Sequence, residues 1–163
     1  MAKRRLLVVR HAKSSWDSGA ATDHARPLNK RGKRDAPLVA ARLAQLGLVP
    51  EAVVSSDSER TRQTWARMES EFPDADVEFT RALYHAGYDE VRDVVSALPD
   101  EVITAMVLGH NPGWEEVVES LTGQHVRMTT ANVAVLECDG ESWSQALDNT
   151  PWHVVDVIRP KKL

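Results

Sequence analysis

The sequence has a single cysteine, Cys138, so it has no disulfide framework, no thiolate zinc site and no Cys-x-x-Cys redox pair. It has no long apolar run either. The N-terminal Lys3-Arg4-Arg5 precedes only the four apolar residues Leu6–Val9, too few for a secretory leader, and no later stretch approaches a membrane span. Charge of one sign is not in large excess: 20 Lys and Arg against 24 Asp and Glu leave a net charge of −4, which does not suit a general nucleic-acid binder. The expectation is a cytoplasmic, soluble monomer with neither membrane nor nucleic-acid partners. A local basic pocket remains compatible with that total.

What is present is enough for a packed fold. With 163 residues, 42% of them hydrophobic, the chain can bury a core, and one domain over residues 1–163 is the natural expectation. Short apolar runs alternate with amphipathic stretches. Leu6–Val9, Ala52–Ser55, Val77–Phe79, Ala105–Gly109, Ala131–Glu137 and Val154–Ile158 read as strands. Arg31–Leu46 has apolar residues at helical spacing and is followed by Gly47. Ser58–Phe72 is bounded by a serine cluster and Pro73, and Tyr88–Leu98 reads as a third helix. A further helix follows His110, with Asn111 as its cap and Pro112 in its first turn, and it stops near Gly123. Asp139–Thr150 reads as a polar connection. The alternation predicts an α/β three-layer sandwich, a mostly parallel central sheet with helices on both faces.

Ligands of such sheets bind beyond the carboxyl ends of the strands. There the sequence places Arg10-His11, then Ser55-Ser56 with Arg60 beyond, then His110 within Leu108-Gly109-His110-Asn111-Pro112-Gly113. A neutral imidazole is a competent nucleophile toward phosphorus, and an arginine early in a helix can offer its fork to phosphoryl oxygens. Taken singly, each residue has an ordinary reading: Arg10 as a solvated strand end, Arg60 as part of a basic helical face, His110 as an incidental loop residue. Together, two histidines and two arginines make a cationic pocket suited to in-line transfer of a phosphoryl dianion. The aperiodic segment Ala12–Pro27 has the character of a binding loop and carries Lys13, Ser14, Ser15 and Arg26; Lys13 and the serines read equally as solvated.

These residues resemble the histidine phosphatase superfamily, and within it the small SixA-type phosphohistidine phosphatases. The resemblance runs through Val8-Val9-Arg10-His11-Ala12-Lys13, Arg26-Pro27-Leu28, Arg31-Gly32, Ser55–Thr64, Leu108–Pro112 and Met128-Thr129-Thr130-Ala131. It implies a phosphoglycerate mutase-like fold with His11 as the nucleophile that becomes phosphorylated. Arg10 and Arg60 would bind the phosphoryl oxygens, and His110 would complete the pocket. Arg26, Lys13, Asn111 and Thr130 would contact substrate. No cofactor and no metal are implied. Sugar-phosphate members carry a glutamate acid near a Glu-Arg-x-Tyr pattern, where this chain has Arg81-Ala82-Leu83-Tyr84. An alkoxide leaving group needs a proton from such an acid. Imidazole, whose conjugate acid has a pKa of about 6.5, needs it less.

The expected substrate is therefore phosphohistidine on a protein. The alternatives are a broad small-molecule phosphomonoesterase of the same fold and a phosphate-binding module without turnover. Asp17, Asp23, Glu59 and Asp89 could each reach the cleft but read first as solvated carboxylates, and Asp57 reads as helix-start chemistry. The six histidines lack metal-ligand spacing, and most of the five tryptophans are expected in the core. Hydrolysis should accordingly be insensitive to EDTA; loss of activity on chelation would refute metal independence.

Overall fold

The computed structural model describes residues 3–163. Six strands form one sheet: β1 (Lys3–Arg10), β2 (Ala52–Ser56), β3 (Asp76–Thr80), β4 (Thr104–Gly109), β5 (Val133–Asp139) and β6 (His153–Ile158), in the order β3-β2-β4-β1-β5-β6. The first four strands are mutually parallel, whereas β5 and β6 are antiparallel to their neighbours. The parallel part matches the expectation from alternation. The antiparallel pair has no counterpart in the apolar pattern, because a run such as Val133–Leu136 is equally apolar in either direction.

Side-chain alternation along the strands divides the core between the two faces. Leu6 and Val8 of β1, with Val107 of β4 and Leu136 of β5, face α3 (Tyr88–Ser96), α4 (Gly113–Thr122) and α5 (Trp143–Ala146). Leu7, Val9, Met106, Leu108 and Val135 face α1 (Lys30–Gln45) and the segment starting with α2 (Glu59–Ala66). Central β1, paired with β4 and β5, has Leu6–Val9 fully buried, as a continuous apolar run requires. Trp65, Trp114, Trp143 and Trp152 are buried, while Trp16 is 74% exposed.

Local chemistry sets the boundaries. Asn29 caps α1 by accepting from the Gly32 amide, and Gly47 follows that helix at φ +72. The helix expected over Ser58–Phe72 is shorter: α2 ends at Ala66 and a separate 3-10 turn covers Glu69–Glu71. There the Arg67 amide is shared between the Gln63 and Thr64 carbonyls, and Trp65 stacks on Phe72 at 6.0 Å, turning the chain back onto the core. The Asp139–Thr150 connection contains the single-turn helix α5, too short to show periodicity, anchored by Trp143 donating to the Val102 carbonyl. Pro112, joined to Asn111 by a cis peptide, occupies the N-cap position of α4. Asn111 instead accepts from the Glu115 amide one turn further in. The fifth strand starts at Val133 and not at Ala131, because Ala131 has φ +60.

Two close approaches connect the fold to the sheet edge where the strands end. A Cβ on Gly32 would lie 2.1 Å from the Lys13 carbonyl oxygen, so α1 lies directly against the loop after β1. A Cβ on Gly113 would lie 1.7 Å from the Ala86 carbonyl oxygen, so α4 lies directly against residues 85–87. Backbone on both sides leaves little room to relax. Gly113→Ala should therefore destabilise the protein by about 1–3 kcal/mol in urea unfolding; an unchanged midpoint would contradict this packing.

Candidate active site

Parallel pairing of β1 with β4 aligns Arg10 with Gly109 and puts His11 and His110 side by side, ring centroids 5.4 Å apart. The two backbones are tied together where they leave the sheet. The His11 amide donates to the Gly109 carbonyl, and the Ala131 amide donates to the Arg10 and His11 carbonyls. Arg60 enters from the second turn-defining position of α2, whose N-cap Ser58 accepts from the Thr61 amide. The resulting cavity, about 240 Å³, is lined by Arg10, His11, Lys13, Arg26, Arg60, His110, Asn111 and Thr130. All eight site residues expected from the sequence thus meet in one cavity. Four further residues line it: Ser14 and Asp23, which the sequence left open, and Trp16 and His85, to which it did not point.

The tautomer of His11 follows from its partner. Nδ1 lies 2.7 Å from the Ala12 carbonyl oxygen, which can only accept, so Nδ1 carries the proton and Nε2 keeps its lone pair. Burial, with smaller effects from Arg60, Arg10 and Arg26, pushes the pKa of His11 down to about 3 against an ordinary 6.5. His110 is likewise pushed down, to about 2, first by burial and then by His11 and Arg60. Both rings are neutral at physiological pH. His110 Nε2 lies 2.9 Å from Ser56 Oγ, which also accepts from the Ser58 amide.

Buried polar atoms are almost always hydrogen-bonded, yet Arg10 Nε, Arg60 Nε and His110 Nδ1 are buried without a partner. All three belong to residues lining the cavity. An anion with several oxygens would supply the acceptors that the protein does not, next to the bare Nε2 of His11. The arrangement can accept a phosphoryl group, hold its oxygens and attack its phosphorus. Among the described residues, no group of three or more His, Cys, Asp or Glu side chains is placed to hold a metal ion.

Asp23 is the one carboxylate in the cavity lining, contrary to its expected place among solvated carboxylates. Its Oδ2 accepts from Arg60 at 3.0 Å, from the Tyr84 hydroxyl at 2.5 Å and from His85 Nε2 at 3.1 Å. Its Oδ1 accepts from Arg26 Nε at 3.0 Å. Partial burial pushes the carboxyl up, but the Tyr84 hydroxyl, Arg60 and Arg26 outweigh it and hold Asp23 well below the usual carboxylate range. Asp57 is also reassigned: Ser58 caps α2, while Asp57 accepts from His24 Nε2 at 2.7 Å and fixes the loop. Arg26 lies 3.6 Å above the exposed Trp16 ring at the rim and donates to Ser14 Oγ. Asn111, although at the cavity wall, has its amide committed to the Met128 carbonyl and the Glu115 carboxylate.

Asp23 had one legible signal, its place on the long loop after β1. His85 had none: it follows the 3-10 turn Arg81–Leu83 at φ +54, and only tertiary packing brings its ring to 5.1 Å from that of His110.

Residues 6–130 match the model of the family described as histidine phosphatase superfamily (branch 1). An uncharacterized chloroplastic protein of Arabidopsis thaliana is 39% identical over 154 residues, covering 88% of this chain and 70% of that one. An uncharacterized protein of Mycobacterium leprae is 33% identical over 145 residues, covering 81% of this chain and 88% of its own. Among solved structures, a candidate phosphohistidine phosphatase SixA from Nakamurella multipartitia superposes with a TM-score of 0.88 at 27% identity, covering 98% of each chain. The protein histidine phosphatase SixA in complex with tungstate shares the fold, with a TM-score of 0.83 at 23% identity over 97% of this chain and 98% of that one.

The depressed histidines have a stability consequence. Above pH 6.5 the His11 ring is neutral in both folded and unfolded chains and adds no pH dependence. Between 6.5 and about 3 the unfolded chain takes up a proton that folded His11 excludes, so stability falls as pH falls through that window. His11→Asn should lose less of its urea midpoint than wild type between about pH 7 and pH 4.5. Equal losses in the two proteins would contradict a buried neutral His11.

Proposed function

The chain belongs to the histidine phosphatase superfamily (branch 1), and from that premise we propose that it is a phosphatase acting on phosphohistidine in proteins through a phosphorylated His11. The observation that carries the reading is the bare Nε2 of His11 beside three buried, unpartnered polar atoms of Arg10, Arg60 and His110. A site that only bound phosphate would need the donors but not the nucleophile.

In the first step, His11 Nε2 attacks phosphorus while Arg10, Arg60 and His110 stabilise the equatorial oxygens, as preorganised groups do in a partly buried site. Arg26 and Lys13 add positive potential at the rim, and Thr130 lines the same cavity. Water then attacks the phosphorylated His11 and releases phosphate. The Ala12 carbonyl holds the ring in the reactive orientation throughout.

The narrower reading, phosphohistidine on a protein, is supported by three features. Asp23 is held as a carboxylate and supplies no proton of its own, and imidazole departs with less need of one than an alkoxide. Trp16, 74% exposed at the mouth and backed by Arg26, gives a protein surface something to rest on. The likeness to the Nakamurella SixA structure covers almost the whole of both chains. No helix among the described residues is long and apolar enough to cross a membrane. A cytoplasmic monomer meeting its phosphorylated partner in solution is the setting in which we place this activity.

The test is a paired assay of wild type and His11→Ala on a phosphohistidine-bearing protein and on p-nitrophenyl phosphate. Wild type should turn over the phosphoprotein faster, and His11→Ala should fall to background on both. Preference for the ester would favour the broad phosphomonoesterase. Activity surviving in His11→Ala, or no turnover by wild type, would overturn the nucleophile assignment.

A further inference from the structure

Three histidines border the catalytic cavity, and they stand in different environments. His11 and His110 are buried, neutral and committed to phosphorus and its oxygens. His85 is exposed, and its Nε2 lies 3.1 Å from the Asp23 carboxylate. Nδ1 of His85 has no hydrogen-bond partner among the described residues. His85 also lines a second cleft of about 140 Å³, formed with Ala86, Gly87, Asn111, Pro112, Gly113 and Glu116. It therefore stands between the space for the phosphoryl group and a space able to take the group that departs.

A residue there borders both the cavity that holds His11 and the adjoining cleft. Asp23 cannot supply the proton, since four donors surround it as a carboxylate. The backbone of His85 supports a functional reading as well. It holds φ +54, a conformation that costs a non-glycine residue of order 1–3 kcal/mol and persists where the surroundings impose it. Here they do so through α4, whose Gly113 lies directly against Ala86.

We propose that His85, oriented by Asp23, is the proton donor to the leaving atom, and that the enzyme consequently also hydrolyses phosphate monoesters of unactivated alcohols. This rests on the phosphatase reading with His11 as nucleophile. As the lone pair of His11 Nε2 forms its bond to phosphorus, the bond from phosphorus to the leaving oxygen or nitrogen breaks and its electron pair stays on that atom. The proton on His85 Nδ1 passes to it, leaving a neutral ring whose Nε2 proton is shared with Asp23. In the second step water adds to phosphorus and gives one proton back to His85 Nδ1, while the His11 bond to phosphorus breaks and its electron pair returns to Nε2. The cycle restores both rings and consumes one water per phosphate. Positioned this way, Asp23 acts through His85 and is a positioning residue, whereas His85 touches the reacting atoms.

The test varies the leaving group. Wild type, His85→Asn and His11→Ala would be assayed on p-nitrophenyl phosphate, whose leaving group departs without a proton, and on glycerol 2-phosphate, whose alkoxide does not. Asparagine tolerates a positive φ, so His85→Asn should keep the fold, with an unchanged melting temperature as the check. Its kcat should fall by roughly 10²-fold or more on glycerol 2-phosphate and by no more than a few-fold on p-nitrophenyl phosphate. Equal losses on both substrates, no loss on glycerol 2-phosphate, or a wild type that turns over only the nitrophenyl ester would each overturn the proposal. Turnover surviving in His11→Ala would overturn instead the reading on which it rests, whatever His85→Asn does.

Discussion

The site depends on the contact between Arg60 and Asp23. The Arg60 side chain is only 3% exposed, within reach of Arg10 and near Arg26, and an unpaired guanidinium in such a place would be costly. Asp23 supplies the missing charge from the loop after β1, and its carboxylate gathers Arg26, Tyr84 and His85 around itself. One carboxylate thereby connects three separate segments of chain: the loop after β1, the start of α2, and the turn after β3. A phosphoryl dianion arriving in the cavity meets cations already aligned by a carboxylate occupying part of their field.

The buried His11, the proposed nucleophile, depends on the same balance. His11 is surrounded by positive charge and buried, so it cannot hold a second proton, and the Ala12 carbonyl fixes the one it has on Nδ1. Neutrality and tautomer are consequences of position, not of the imidazole itself. His85 shows the converse: the same side chain is exposed and faces a carboxylate. In the mechanism proposed above, nucleophile and proton donor separate according to burial.

Backbone packing maintains these distances. Gly32 and Gly113 allow α1 and α4 to approach the loops that carry Lys13 and His85, closer than any side chain would permit. Ala131 and His85, both at positive φ, flank the cavity at the points where the chain must turn sharply to bring a functional group inward.

By itself the sequence determined the strand–helix alternation, the burial of Leu6–Val9, and the positions of Arg10, His11, Arg60 and His110. Each of these follows from an apolar run and the residue immediately after it, and such information is local. The antiparallel direction of β5 and β6, the single-turn helix α5 and the early end of α2 were decided by packing, since apolar patterns carry neither strand direction nor turns shorter than a period. Asp23 is marked in sequence only by its place on the long loop after β1, and His85 by nothing. They lie 62 residues apart, and only the folded sheet, bringing β1, β3 and β4 to a common edge, puts their side chains on the same cavity. A charge or a proton acquires a function from what faces it across space, and that is fixed by tertiary structure.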